Sequence, residues 1–292
     1  MNAEHISQAT PIIRTENINR IFRSGGNKIQ ALKDININVY PGTLTLLKGR
    51  SGSGKTTLMN LIGALDDPTS GKIYFLDDVL TSMSSSKKDA LRRDKIGFIF
   101  QSVALISMMT ALENIDFSLR VSKYPANERI KRAEECLKMV GLRGRMSHVP
   151  GEMSGGEQQR VAIARSIAHH PIVLFADEPT AELDTHMALQ VMKILRQLVK
   201  SENVTVVMTT HDPNMMVLAD HIYELEDGHI INESFNVVEN DDLEANFDPH
   251  GELEKKAATK KVRKKGSRKK FSFNLMDKFK KKPKSDGEGG PA

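Results

Sequence analysis

The chain has 292 residues, 39% of them hydrophobic and 27% charged, enough apolar content for a substantial core in one large domain or two modest ones. Its single cysteine, Cys136, excludes an internal disulfide, and no apolar run approaches the ~20 residues of a membrane-crossing helix. The net charge of +5 conceals a split, because residues 251–292 carry 15 Lys/Arg against 5 Asp/Glu while the first 250 carry 27 against 32.

Residues 1–10 are polar and lack a signal-peptide core, so a soluble protein in a reducing compartment is expected. Short β-rich runs follow at 12–22, 31–40, 43–48 and 71–80, broken by Ser24-Gly25-Gly26-Asn27 and Pro41-Gly42 turn signals. Residues 95–100 form a compact apolar strand. A mostly helical stretch then extends to about His170, and Thr110-Ala-Leu-Glu113 reads as a capping box. Cys136 shares a helical period with Ile130, Ala133, Leu137 and Val140, which predicts a small buried hydrophobe. Residues 171–177 and 204–210 are nearly continuous apolar runs, the mark of strands buried on both faces of a parallel sheet, with a helix over 185–199 between them. The expectation is an α/β core, with the block between Gln101 and His170 as an inserted helical part.

Gly49-Arg50-Ser51-Gly52-Ser53-Gly54-Lys55-Thr56 matches G-x-x-x-x-G-K-[ST], with an apolar strand before it and a helical pattern from Thr57 to about Leu65 after it. Glycines let the backbone curl until successive amides face a phosphate, and the helix N-terminus adds partial positive charge. Lys55 would bridge the β- and γ-phosphates of a bound nucleotide, and the Thr56 hydroxyl would bind Mg²⁺. Asp177 and Glu178 follow at a strand's C-terminal end, where α/β sheets bind ligands. Asp177 would hold Mg²⁺ through a water, and Glu178 would serve as general base on the attacking water.

Met153-Ser154-Gly155-Gly156-Glu157-Gln158-Gln159-Arg160 reads by itself only as a well-capped helix start. In its position it resembles the signature sequence of ATP-binding-cassette (ABC) ATPases. The resemblance covers roughly Ile12 to Ile231. It implies a P-loop fold with an antiparallel β subdomain, a mostly parallel core sheet and an inserted α-helical subdomain at about 102–168, all within an ATPase domain at 1–235. It also implies ATP and Mg²⁺ as ligands, contacted by Phe22, the loop from Gly49 to Thr57, and Ser154, Gly155, Gly156 and Asp184. Gln101 would join Thr56 and Asp177 at the metal, and His211 would act on the γ-phosphate. Phe22 admits either an adenine contact or a place in the core. Met153 stands where Leu is commoner in the family, and Ala181 where Gly or Ser is.

In this family Ser154 and Gly156 would act on ATP held by the opposite subunit, so the resemblance implies a homodimer. It also implies a separately encoded integral-membrane permease and a peripheral place on the cytoplasmic face of the membrane. Residues 96–101, 111–114 and 156–165 are worded like the macrolide-export and lipoprotein-release branch, which implies export or extraction of a peptide, lipoprotein or drug. Mechanical work without cargo, as in that branch's cell-division relative, is the alternative, and a soluble ABC ATPase acting on DNA or ribosomes is a third. The tail, 236–292, joins an acidic linker to a Lys-rich extension. It is read as a solvated extension, as a basic helix with Phe271, Leu275 and Phe279 facing an anionic membrane or the partner, or, third, as a nucleic-acid contact.

Overall fold

The computed structural model describes residues 9–25 and 27–236; the acidic stretch and the Lys-rich tail lie outside the described residues. The strands are β1 (Ile13–Ser24), β2 (Asn27–Ile35), β3 (Asn38–Val39), β4 (Leu44–Lys48), β5 (Ser70–Phe75), β6 (Asp78–Val79), β7 (Ile96–Ile99), β8 (Val173–Asp177), β9 (Thr205–Thr210), β10 (His221–Glu226) and β11 (His229–Phe235). The helices are α1 (Lys55–Ile62), α2 (Ser85–Lys95), α3 (Ala111–Val121), α4 (Arg129–Met139), α5 (Gly155–Ile167) and α6 (Thr185–Ser201).

Two sheets result. One is antiparallel, ordered β2-β1-β5-β6 with β3 also on β1. The other runs β11-β10-β4-β9-β8-β7, parallel throughout except for the antiparallel edge strand β11. Side chains alternate across a strand, and here both faces are covered. Leu44, Leu46, Leu174, Ala176, Val206 and Met208 point into one core shared with α3, α4, α5 and α6. Leu47, Val173, Phe175 and Val207 point into a second core, shared with α1 and the antiparallel sheet. That division is why residues 171–177 and 204–210 read as apolar without interruption.

Helices α3, α4 and α5 lie between β7 and β8 in sequence, the expected insertion. Thr110 opens α3 through a reciprocal capping box: its hydroxyl accepts from the Glu113 amide at 3.2 Å, and Glu113 accepts from the Thr110 amide at 2.8 Å. Cys136 is buried as expected, and burial pushes its thiol up to about 11.

Several boundaries differ from expectation. The run at 31–40 breaks after Ile35 and resumes as β3, with Asp34 in the left-handed region at φ 52°. The run at 71–80 breaks at Leu76, φ 53°, and finishes in a 3₁₀ turn. Helix α1 starts at Lys55 rather than Thr57 because Gly54 supplies the cap, and it stops at Ile62 because Gly63 closes it and Ala64 turns left-handed. Helix α2 has almost no apolar period to announce it. It is held by the Ser84 cap and by Arg92, Arg93 and Lys95 at its C-terminal end, where the helix dipole favours cations.

Asp220 ties α6 to the parallel sheet. Its Oδ2 accepts from the Leu44 amide at 2.8 Å and from Arg196 Nη1 at 2.6 Å, and Arg196 is almost wholly buried. Removing one partner of a buried pair leaves an uncompensated charge, which costs about 3–5 kcal/mol. Asp220→Ala is therefore expected to lower the melting temperature in scanning calorimetry by about 10 °C, at ~2–4 °C per kcal/mol for a domain of this size; an unchanged melting temperature would contradict the role given to this pair.

Candidate active site

The loop between β4 and α1 needs its glycines for two separate reasons. Gly52 and Gly54 adopt φ of 80° and 104°, conformations that a side chain opposes. A methyl group on Gly54 would also sit 2.8 Å from the Ala31 carbonyl oxygen. Lys55, only 5% exposed, turns back under the loop and donates from Nζ to the carbonyls of Gly49 at 2.9 Å and Arg50 at 3.0 Å. The first amide of α1 that bonds back into the helix is Leu58, to Gly54 at 2.8 Å, so the amides before it are left for an anion.

The turn between β10 and β11 locks this loop from behind. The Gly228 amide donates to the Ser53 carbonyl at 3.1 Å, and the Lys33 amide donates to the Gly228 carbonyl at 2.8 Å. A Cβ on Gly228 would fall 2.6 Å from the Ala31 carbonyl oxygen, so glycine alone fits there. Asp227-Gly228 is a two-residue hairpin signal in the sequence, yet nothing local ties it to a loop nearly 180 residues earlier.

Asp177 ends β8 facing the loop. Its Oδ1 accepts from Thr56 Oγ1 at 3.2 Å and from Thr209 Oγ1 at 2.5 Å. Glu178 follows with φ 44°, its amide donating to Thr209 Oγ1 at 2.9 Å and its Oε2 lying 3.3 Å from His211 Nδ1. Thr209 belongs to no sequence expectation, because a threonine inside an apolar strand passes as a β-former. The available signal is that it pairs in register with Asp177 on the adjacent parallel strand.

A cleft of about 400 Å³ gathers Ser51, Gly52, Gly54, Lys55, Thr56, Thr57, Gln101, Asp177 and Glu178, together with Ala31. Gln101 arrives from the end of β7, so the C-terminal ends of three parallel strands converge on one hollow. Gly49, Arg50 and Ser53 shape the loop from outside the lining. A second hollow, about 340 Å³, borders Glu178 and His211 and continues along Thr180, Ala181 and Leu183.

Phe22, Ser154, Gly155, Gly156 and Asp184 do not line the first cleft. Phe22 is 40% exposed on the β1–β2 hairpin, with the Arg20 guanidinium 4.6 Å over its ring, so its place is not in the core. Ser154 caps α5: its hydroxyl accepts from the Glu157 amide at 3.3 Å, while Glu157 accepts from the Ser154 amide at 2.9 Å. That amide bond and Arg145 hold the Glu157 carboxyl below the usual range. A Cβ on Gly156 would lie 2.9 Å from Met187 Sδ, so this glycine lets the first turn of α5 approach α6. Asp184 caps α6 by accepting from the Met187 amide at 2.9 Å.

The donors available for a metal are a carboxylate, a threonine hydroxyl and a glutamine amide. No group of three His, Cys, Asp or Glu among the described residues could hold an ion unaided. Hard oxygen donors, too few to complete a shell, suit Mg²⁺ that takes its remaining ligands from water and substrate phosphates.

Residues 32–181 match the family described as ABC transporter. The chain is 42% identical over 225 residues to the uncharacterized ABC transporter ATP-binding protein MJ0796 of Methanocaldococcus jannaschii, covering 75% of this chain and 95% of that one. The chain belongs to the ABC transporter family. It is an ABC ATPase of the macrolide-export and lipoprotein-release branch, and it binds and hydrolyses ATP. The macrolide export ATP-binding/permease protein MacB of Mannheimia succiniciproducens is 44% identical over 224 residues, which are 76% of this chain but 34% of that protein. Among solved structures, the dimeric post-hydrolysis state of the MJ0796 cassette bound to ADP and Pi superposes with a TM-score of 0.71 at 39% identity, over 76% of this chain and 98% of the other. An ABC cassette, cbiO1 from Clostridium perfringens, gives the same TM-score at 28% identity over 88% of this chain and 96% of that one.

Lys55 is expected to carry much of the ABC ATPase's affinity for nucleotide. Hydrogen bonds to charged groups contribute about 1.5–3 kcal/mol, so Lys55→Ala should weaken ATP binding about 10- to 100-fold in equilibrium dialysis. Wild-type affinity in that variant would remove the ammonium from the site.

Proposed function

We propose that two copies of this chain pack head to tail and enclose two ATP molecules, powering a membrane permease on a separate polypeptide. The observation that carries the dimer is the division of the site: the cleft holds Lys55, Asp177 and Glu178, whereas the amides at the start of α5 stand outside it with Ser154 and Gly155 exposed. A helix N-terminus is an anion site, and in a head-to-tail pair that of α5 would meet the γ-phosphate held by the other copy. The dimeric MJ0796 structures support this arrangement.

In this reading Glu178 takes a proton from the attacking water, the oxygen bonds to the γ-phosphorus, and the bond to the ADP oxygen breaks. His211, beside Glu178, would hold the γ-phosphate, and the loop from Gly49 to Thr57 would hold the α- and β-phosphates. Phe22 would stack on adenine. Thr56, Asp177 and Gln101 would hold Mg²⁺, which offsets negative charge on the phosphate oxygens when bound. Asp184 would communicate across the dimer interface. ATP gives the closed pair contacts that the open pair lacks, and hydrolysis removes them.

The coupling to a permease has a physical seat. A largely apolar groove of about 490 Å³ beside α3 is lined by Phe98, Phe100, Ile106, Phe117 and Val121. Arg165 of α5 donates from Nη1 to the Ala104 carbonyl at 2.6 Å and from Nη2 to the Val103 carbonyl at 3.2 Å, joining the segment after Gln101 to the signature helix. A permease segment seated in the groove would thus feel both. MJ0796, matched over nearly its whole length, supports a separate permease, whereas MacB is by its name an ATP-binding/permease protein. Among the described residues no helix is long and apolar enough to cross a membrane. We place the ATPase domain at 1–235, peripheral on the cytoplasmic face, exporting or extracting a peptide, lipoprotein or drug.

Glu178→Gln keeps the shape of the side chain but not its charge or basicity. It is expected to retain ATP binding, to lower turnover by about 10²–10⁴-fold, the usual worth of a general base, and to elute as an ATP-dependent dimer in size-exclusion chromatography. Wild-type turnover in this variant would show that Glu178 is not the base.

A further inference from the structure

We infer that Thr209 is a positioning residue for ATP hydrolysis, one hydroxyl that fixes both Asp177 and Glu178. The inference rests on the reading that these two carboxylates are the working pair.

Thr209 is 0% exposed on β9, two residues before His211, with Val206 and Val207 earlier on the same strand. If that position required only β-propensity and packing, valine would serve as well there. A buried hydroxyl has no guarantee of a partner in this sheet. Thr45 on the neighbouring strand β4 is buried with its Oγ1 unpaired. Thr209 differs because both of its bonds run to the residues at the end of β8.

The direction of those bonds is fixed by proton count. A threonine hydroxyl has one hydrogen, and an ionised carboxylate can only accept. The hydrogen therefore goes to Asp177 Oδ1, at 2.5 Å, and Thr209 Oγ1 in turn accepts from the Glu178 amide at 2.9 Å. The chain from Glu178 N–H through Thr209 Oγ1 to Asp177 Oδ1 polarises each member in one sense, which strengthens both bonds. Thr56 donates to the same Oδ1 at 3.2 Å, so both threonine hydroxyls land on one carboxylate oxygen and neither uses Oδ2. Asp177 is thereby held against rotation about its last bond.

Glu178 gains a different constraint. Its φ of 44° lies in the left-handed region, sparsely populated by residues with a side chain. The bond from its amide to Thr209 holds the peptide in that conformation, and the conformation sets where the carboxylate of Glu178 points, at present 3.3 Å from His211. Without the hydroxyl, the Glu178 amide loses its partner and the peptide is released to relax.

Thr209→Val replaces the hydroxyl with a methyl of similar size, and Thr209→Ser keeps the hydroxyl without the methyl. Losing a group that hydrogen-bonds to a metal ligand typically lowers metal affinity or activity about 10- to 100-fold. Thr209→Val is expected to lower kcat at least about 10-fold with KM for ATP within about twofold of wild type, and to weaken Mn²⁺ binding to the ADP complex about 10-fold in an electron paramagnetic resonance titration. Thr209→Ser should restore both to within about threefold. Wild-type kcat and Mn²⁺ affinity in Thr209→Val would overturn the inference, as would a serine variant as impaired as the valine one, since the methyl would then be what matters. Melting curves without nucleotide establish that each variant is folded; should the valine variant fail, Thr209→Ala is judged by the same criteria. An active Glu178→Gln overturns the base assignment itself, whereas an active Thr209→Val beside an inactive Glu178→Gln overturns this inference alone.

Discussion

A buried ammonium group governs this site. Lys55 lies almost wholly out of solvent and is bonded to two carbonyl oxygens, and no carboxylate among the described residues pairs with it. A buried cation left in that state is costly, and a polyphosphate entering the cleft supplies the missing negative charge. The loop glycines, the unbonded amides of α1 and the hairpin brace through Gly228 all serve to keep that cation and its hollow in one place. ATP binding is thus a relief of a charge imbalance that the fold itself creates.

The parallel sheet brings the chemistry to this charge. Strands β4, β7, β8 and β9 share a direction, so their C-terminal ends present the loop of Lys55, Gln101, Asp177 with Glu178, and Thr209 on one rim. Register does the fine adjustment: Asp177 lies opposite Thr209, and Thr56 reaches the same carboxylate oxygen from α1. The helical insertion packs on the face of the sheet opposite α1, in a core it shares with α6. Through Arg165 its signature helix is bonded to the chain just after Gln101, so movement of one is felt by the other.

The legible parts of this site are those whose function is written in consecutive residues. A loop that must curl around phosphate needs glycines at set positions, and a strand-end carboxylate pair is contiguous, so Gly52, Gly54, Lys55, Asp177 and Glu178 could be read directly. The doubly buried strands were legible for a related reason, since covering both faces removes the polar residues from the run. Thr209, Gly228 and Arg165 were not, because each acts on a segment between 31 and 175 residues away in sequence. Their residue types carry a local meaning, as strand former, turn glycine and helix surface, that masks the distant one. Helix α2 escaped notice for want of an apolar period, and the breaks at Asp34 and Leu76 required left-handed residues that are not glycine.

The central claim is that one chain carries only half of each hydrolytic site, the other half being the α5 N-terminus of its partner. Mixing Lys55→Ala with Ser154→Arg, at an ATP concentration far below what the weakened Lys55→Ala cleft needs, tests it most directly. Paired at random, half of the dimers would combine the intact cleft of one chain with the intact α5 terminus of the other at one of two sites. The account predicts that each variant alone is inactive and that the equimolar mixture recovers up to about a quarter of the wild-type ATPase rate. A mixture no more active than its components, or a Ser154→Arg variant that hydrolyses ATP at the wild-type rate, would contradict it.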